Sequence, residues 1–150
     1  MTAVTVAALA LAAVAGLGIL AIRRRRLVVT VEGDSMRPTY QDGDRLLVRT
    51  GPACRPGDVV VFANPHGPEP GPAMLVKRVA ATAGDAVPEA TRTRIGAGPV
   101  PPGRIVVLGD AVLSLDSRNF GYVRADTVVG VVLRELGARR EPGVTAGPGA

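Results

Sequence analysis

One lysine and three serines are the side chains of this sequence best suited to act as a base and a nucleophile. The chain has 18 basic residues, of which only Lys77, in the apolar run MLVKRVA, is a lysine. An arginine keeps its proton at any accessible pH, whereas a lysine ammonium in apolar surroundings can lose its proton and act as a base. A single lysine among so many arginines is also what chance gives, so the count alone leaves both interpretations open.

The serines are Ser35, Ser114 and Ser117. Ser35 lies in the turn-rich segment VEGDSMRPTYQDGD, where a hydroxyl could be exposed at the end of a strand. Beside Gly and Asp, however, a serine more often bonds to its own turn backbone. The one histidine, His66, lies in a loop rich in Pro and Gly, which offers no fixed geometry for a base, so we expect a solvated side chain. The pair that this sequence can build is therefore serine with lysine, a variant of nucleophilic catalysis.

Short runs rich in Val and Leu must position these side chains. Each run is bounded by Gly, Pro or Asp, which is typical of an all-β domain with many turns. The runs are residues 27–33, 44–50, 58–64, 74–82, 104–110 and 127–136. Ser35 follows the first run and Lys77 lies inside the fourth, so a serine–lysine pair requires a sheet that brings these two runs together. The segment NPHGPEPGP (64–72) is expected to be a surface loop.

Composition excludes several classes of protein. Of the 150 residues, 47% are hydrophobic and only 3% aromatic, which excludes disorder over the whole length and requires a core of aliphatic side chains. One cysteine, Cys54, and one histidine exclude an internal disulfide framework and the usual multi-ligand zinc sites, so we expect no metal and no cofactor. The net charge is +5, and the run Arg23 to Arg26 supplies most of it, so we expect no nucleic-acid binding.

The first residues form an apolar segment. Residues 2–22 carry no charge and nothing more polar than threonine, and as a helix they span about 30 Å, the thickness of the bilayer's hydrocarbon core. A cleaved signal peptide fits less well, because its basic region precedes the apolar stretch, whereas here the arginines follow it. We predict a transmembrane anchor at 1–22, a basic juxtamembrane segment at 23–26, a catalytic domain at 27–137 and a disordered tail at 138–150.

Four segments, in a fixed order, resemble those of bacterial type I signal peptidases. They are GDSMRPTYQDGD (33–44), GDVVVF (57–62), VKRVAATAGD (76–85) and LGDAVLSLDSRNFGYV (108–123). The resemblance implies a mainly antiparallel β fold with a shallow apolar groove, preceded by one transmembrane helix. It also implies a serine endopeptidase that removes signal or leader peptides after an Ala-x-Ala sequence. Only a short stretch separates Gly84 from Arg104, so the chain resembles the compact members, without a large second β domain.

The resemblance implies a role for each matching residue. Ser35 is the expected nucleophile, with its backbone N–H as a donor to the oxyanion, and Lys77 is the expected general base. Ser114 matches the serine that orients the lysine amine, and a charged pair that supports the site is matched by Asp116 and Arg118. The residues that match those shaping the turn and the groove are Gly33, Met36 and Pro38.

The sequence departs from the family pattern at several positions. Gly33 stands where some members carry a side-chain hydroxyl that serves as a second oxyanion donor. Loss of one such donor lowers the rate about 100- to 1,000-fold, so the sequence predicts a slower enzyme or a compensating contact. Ala111 and Leu113 stand where the family usually has asparagines, which changes the local hydrogen bonding but leaves Ser114, Asp116 and Arg118 in place.

The charge pattern and the expected function predict opposite membrane orientations for the catalytic domain. Arginines that follow the apolar segment favour a cytoplasmic position for the domain behind them. A peptidase that processes exported precursors needs its site on the outer face, and we expect that orientation because the charge rule is only a bias. The expected partners are precursor proteins and the lipid bilayer, with the protein as a monomer.

Three other functions stay open from the sequence. The first is a dedicated maturation peptidase for one or a few partner proteins, facing the cytoplasm. The second is a self-cleaving Ser-Lys regulator, which would need a DNA-binding module that the residues before Ser35 do not suggest. The third is an inactive peptide-binding module, which the presence of Ser35, Lys77 and Ser114 together argues against.

Overall fold

One antiparallel sheet makes up most of the fold. The computed structural model describes residues 25–67 and 71–138. Its strands are β1 Arg26–Thr30, β2 Asp44–Thr50, β3 Val59–Ala63, β4 Met74–Thr82, β5 Arg104–Leu108, β6 Val123–Arg124 and β7 Val128–Ala138. The short helices are α1 Arg92–Ile95 and α2 Ser117–Phe120, and single 3-10 turns lie at Glu89–Thr91 and Ala125–Thr127.

The strands are arranged in the order β1-β2-β7-β3-β4-β5-β6, and every neighbouring pair is antiparallel. The prediction of a mainly antiparallel β fold is therefore confirmed, and each of the six predicted runs contains a strand. The two-residue β6 is the additional strand, too short to show an alternating pattern in the sequence.

The predicted transmembrane anchor and the tail after Ala138 lie outside the described residues, as do Arg23 and Arg24 of the basic segment. Within the described ranges, no helix is long and apolar enough to cross a bilayer.

The centre of the sheet is buried on both faces, because residues of β3 alternate between two sets of apolar contacts. In β3, Val60 and Phe62 pack with β4, β5 and β7 in one core cluster, whereas Val61 packs with Leu46 and Val48 in another. A third cluster, which includes Val87 and Val106, covers the opposite end of the sheet. A strand buried on both sides reads as a continuous apolar run, as DVVVFA does.

Two strand segments have an unpaired side. β1 is the first strand of the sheet and pairs only with β2. β4 pairs with β3 from Met74 to Arg78, but its pairing with β5 starts only at Arg78. In the part of the chain that the structure describes, residues 74–77 thus have a strand on one side only.

Candidate active site

Ser35 lies on a tight turn between β1 and β2. Gly33 has a φ of +82°, a conformation that favours glycine, and its N–H donates to Asp42 Oδ1 at 2.7 Å. Tyr40 N–H donates to the carbonyl of Met36 at 3.0 Å. The Met36 side chain is fully buried and anchors the turn to the core. The sequence therefore folds locally so that Ser35 is presented at the end of β1, half-buried.

Lys77 lies in the middle of β4. Leu75 and Val79, two residues to either side, share its face of the strand and belong to the buried core. The Lys77 side chain is only 2% exposed. Its Nζ is joined to Ser35 Oγ by a hydrogen bond of 2.5 Å across 42 residues of sequence. The structure thus brings together the two residues that the sequence singled out as base and nucleophile.

The environment of Lys77 favours the neutral amine. Burial lowers the pKa of Lys77 below its ordinary value, because removal from water penalises the charged form. The Asp116 carboxylate acts in the opposite direction and raises this pKa, whereas the guanidinium of Arg118 lowers it further. The net effect is a lowered pKa, so the amine gives up its proton more readily than a lysine in water.

Asp116 and Arg118 form a pair beside this amine. Arg118 Nε and Nη2 donate to the two oxygens of Asp116 at 3.0 and 2.7 Å. The same carboxylate accepts the N–H groups of Gly109 and Arg118 and caps helix α2. Burial by itself raises the pKa of the fully buried Asp116, but these hydrogen bonds outweigh it and the pKa is lowered. These contacts therefore keep the Asp116 carboxylate ionised and paired with the Arg118 guanidinium.

Ser114 does not make the contact that the resemblance implies. Its hydroxyl is buried and has no hydrogen-bond partner among the described residues. It influences Asp116, whose pKa it lowers slightly, but without reaching hydrogen-bond geometry. Its role as orienter of Lys77 stays a prediction. The third serine, Ser117, is structural, because its Oγ accepts the Val107 N–H at 2.9 Å.

A second charged group was missed by the sequence analysis. Arg78 donates to Asp110 through Nε and Nη2 at 2.9 and 2.6 Å, and its Nη1 donates to the carbonyl of Gly57. Thr39 Oγ1 donates to the same Asp110 carboxylate at 2.5 Å. These contacts join the Ser35 turn to β4 and to the end of β5. The position of Arg78 directly after Lys77 could have drawn attention to it. The sequence did not show which carboxylate it would bind.

The backbone beside Asp110 completes the link to Ser35. Ala111 N–H donates to the Ser35 carbonyl at 3.1 Å. An added Cβ on Gly109 would lie 2.0 Å from Ser114 Oγ and 2.6 Å from the Ser35 carbonyl oxygen. Only a glycine fits at this position, so the segment can approach both serines.

A groove of about 450 Å³ leads to the serine and the lysine. Its walls are residues 28–32 of β1 and the following loop, and residues 72–77 leading into and along β4. Val28 and Met74, at its sides, are each about half exposed. The lining is mainly aliphatic, with Ser35, Met36 and Lys77 among the residues that contact it.

The remaining predicted residues lie apart from this chemistry. Pro38 is exposed on the turn after Ser35. His66 is exposed and contacts Phe120 edge-on, with ring centres 6.0 Å apart. Cys54 is half-buried against the core, and burial raises the pKa of its thiol. In the described ranges, no three His, Cys, Asp or Glu side chains converge as a metal site would require.

Comparison with known proteins shows the family of this chain. The family model described as "Signal peptidase, peptidase S26" matches residues 2–95 and 88–134. The chain is also similar to signal peptidase I V of Bacillus subtilis (strain 168), with 28% identity over 140 residues that cover 68% of this chain and 80% of that protein. Since the family model spans most of the chain, the protein belongs to the signal peptidase family, peptidase S26.

Proposed function

We propose that the protein is a membrane-anchored serine endopeptidase that cleaves signal or leader peptides after small residues. The observation that carries this proposal is the 2.5 Å hydrogen bond between Ser35 Oγ and a Lys77 amine that is 2% exposed. Membership of the signal peptidase family supports the reaction class.

The reaction uses the two groups in sequence. The neutral Lys77 amine takes the Ser35 proton as Oγ attacks the scissile carbonyl, and the resulting ammonium gives that proton to the leaving amine. A water then attacks the acyl-enzyme and loses its proton to the same amine, which returns it to Ser35 Oγ. The Ser35 N–H, which joins no backbone–backbone hydrogen bond in the described ranges, is the expected donor to the oxyanion.

The groove suits an extended peptide. An unpaired strand side can accept a peptide through main-chain hydrogen bonds, and alternate side chains then enter pockets. Two such unpaired strand segments border the groove: β1 on its outer side, and residues 74–77 of β4. Both lead to Ser35. Aliphatic walls close to the backbone favour small residues at alternate positions, which supports the expected Ala-x-Ala selection.

A cleavage assay with the full chain tests the proposal. A precursor with an Ala-x-Ala site should be cut after the second alanine, as shown by mass spectrometry of the products, and Ser35→Ala should abolish the cut while keeping the thermal transition. Activity should rise with pH through the lowered pKa of Lys77, because only the neutral amine acts as a base. A flat profile between about pH 5 and 9 would contradict the assignment of Lys77, because a base that titrates within or above this range loses activity as the pH falls.

The arginine run favours a second candidate, a dedicated maturation peptidase with its catalytic domain in the cytoplasm. His66→Cys in a Cys54→Ala background places one thiol on an exposed loop. Labelling of intact cells by a membrane-impermeant reagent would put the site outside and support general precursor processing. Labelling only after lysis would support the cytoplasmic candidate.

A further inference from the structure

A charged side chain stands on the aliphatic wall of the groove. Glu32 lines the groove three residues before Ser35, and the residue is exposed. Among the described residues that line the groove, the other ionisable side chain is Lys77, which is 2% exposed and bonded to Ser35. A peptide that enters the groove therefore meets the Glu32 carboxylate as the exposed charge of its wall.

The turn that follows Glu32 is acidic. Residues 32–42 carry one guanidinium, Arg37, and three carboxylates, Glu32, Asp34 and Asp42. Arg37 pairs with Asp34 at 2.9 Å, which leaves the other two carboxylates to set the charge of the turn. The salt bridges within the described residues do not include Glu32. Its negative charge is therefore available to a bound peptide.

Glu32 faces outward from this wall. Val31 continues the pairing of β1, because its N–H donates to the Asp44 carbonyl at 2.8 Å. In such extended backbone, successive side chains point to opposite sides. Val29 and Val31 pack in or against an apolar core cluster, whereas Thr30 and Glu32 are exposed. The inner side of the wall is thus apolar, and the outer side carries the carboxylate.

A peptide bound along the wall alternates in the same way. In an extended Ala-x-Ala segment, the two alanine side chains point to one side and the side chain of x points to the other. The apolar inner side of the wall suits the alanines. The side chain of x is then directed to the outer side, toward Glu32 and away from the core.

We propose that Glu32 selects a basic side chain at x, the residue between the two alanines, an inference that rests on the proposed function. A lysine or arginine at x lays its aliphatic stem along the aliphatic wall and brings its charge to the carboxylate. A glutamate at x meets a like charge. Preference at x therefore comes from charge, whereas preference at the two flanking positions comes from size.

Three short peptides that differ only at x, with lysine, glutamine or glutamate between the alanines, test this selection on the full chain in a non-ionic detergent. We expect kcat/KM to be about fivefold higher for the lysine peptide than for the glutamate peptide, the size of one exposed ion pair. Glu32→Lys should invert this order. The matched control is Glu89→Lys, the same charge change at an exposed residue that does not line the groove, which should keep the wild-type order.

Two outcomes of this assay would overturn the proposal: an unchanged order in Glu32→Lys, or an inversion in Glu89→Lys as well. Salt gives an independent check, because exposed charges are screened. At about 1 M salt, where the Debye length is about 3 Å, the lysine and glutamate peptides should be cut at nearly equal rates. A preference for lysine that salt leaves unchanged would mean selection by shape and would contradict the role of Glu32.

Peptide binding keeps the test separate from the proposed function. In a Ser35→Ala background no peptide is cut, and the anisotropy of fluorescein-labelled peptides measures their dissociation constants. The lysine peptide should bind about fivefold more tightly than the glutamate peptide, and Glu32→Lys should again reverse the order. Selective binding with no cleavage by the chain that retains Ser35 would contradict the peptidase and leave the charge selection standing. Cleavage with equal binding of all three peptides would refute the charge selection alone.

Discussion

The two ends of the hydrogen bond between Ser35 and Lys77 are held in different ways. Ser35 lies on a half-exposed turn that the buried Met36 anchors and that polar contacts hold in place, chiefly Thr39 with Asp110 and the Ala111 N–H. Lys77 lies in a strand whose neighbours on the same face belong to the apolar core. The comparison shows that the nucleophile is positioned by directional bonds, whereas the base is tuned by removal from water.

Lys77→Arg should give the largest effect. It keeps the positive charge but removes the amine that, on the proposed function, takes the Ser35 proton, so turnover of a precursor peptide should fall about 10,000-fold or more. The matched control is Arg104→Lys, an exchange at an exposed position, which should keep full activity. Substantial turnover by Lys77→Arg would show that burial of this residue serves packing alone.

Gly109→Ala tests the contacts that position the Ser35 turn. The added methyl group overlaps Ser114 Oγ and the Ser35 carbonyl, and a displacement of about 1 Å can lower kcat about 100-fold. The control is Gly33→Ala, which meets no atom within 4 Å but has a left-handed φ. That variant should lose about 1 to 2 kcal/mol of unfolding free energy by strain. Full activity of Gly109→Ala would refute the close contact.

Lys77→Met tests the effect of burying Lys77, measured as the free energy of unfolding. An apolar side chain of similar size removes a buried amine, so the free energy of unfolding should rise by roughly 1 to 4 kcal/mol at neutral pH although activity is lost. The folded pKa of Lys77 lies below its unfolded value of about 10.4, so between these two values the unfolded chain binds more protons and the native protein gains stability as pH rises.

The advantage of Lys77→Met is therefore complete below the folded pKa and shrinks as pH rises toward the unfolded value. Urea unfolding of both proteins across this range measures the difference. A stability advantage of Lys77→Met that stays constant with pH would contradict a lowered pKa of Lys77.

Thr39→Val should give the smallest effect. It removes one hydrogen bond to Asp110 at an exposed position, worth about 1 kcal/mol, so kcat should fall about fivefold with little change in KM. Thr39→Ser keeps the hydroxyl and should restore kcat. Equal kcat for the two variants would show that the Ser35 turn does not need this bond.

The difference between the apolar burial of Lys77 and the polar contacts of Ser35 also explains which features the sequence could predict. Burial of Lys77 follows from alternation along MLVKRVAAT, and the strands follow from apolar runs between turn residues, since these are local patterns. The bond from Thr39 to Asp110 joins residues 71 positions apart, and no local pattern predicts it. The need for glycine at position 109 depends on the folded positions of Ser114 and of the distant Ser35, which no local pattern predicts.

The unpaired sides of β1 and β4 have a consequence for proteins that must not be cut. A peptide that fills the space between them must have main-chain groups free on both flanks over several residues. A segment already paired in a sheet or wound in a helix has used those groups. On the proposed function, the gap therefore admits only a segment whose main-chain groups are free, and folded proteins at the same membrane are spared even where they contain alanines at the right spacing.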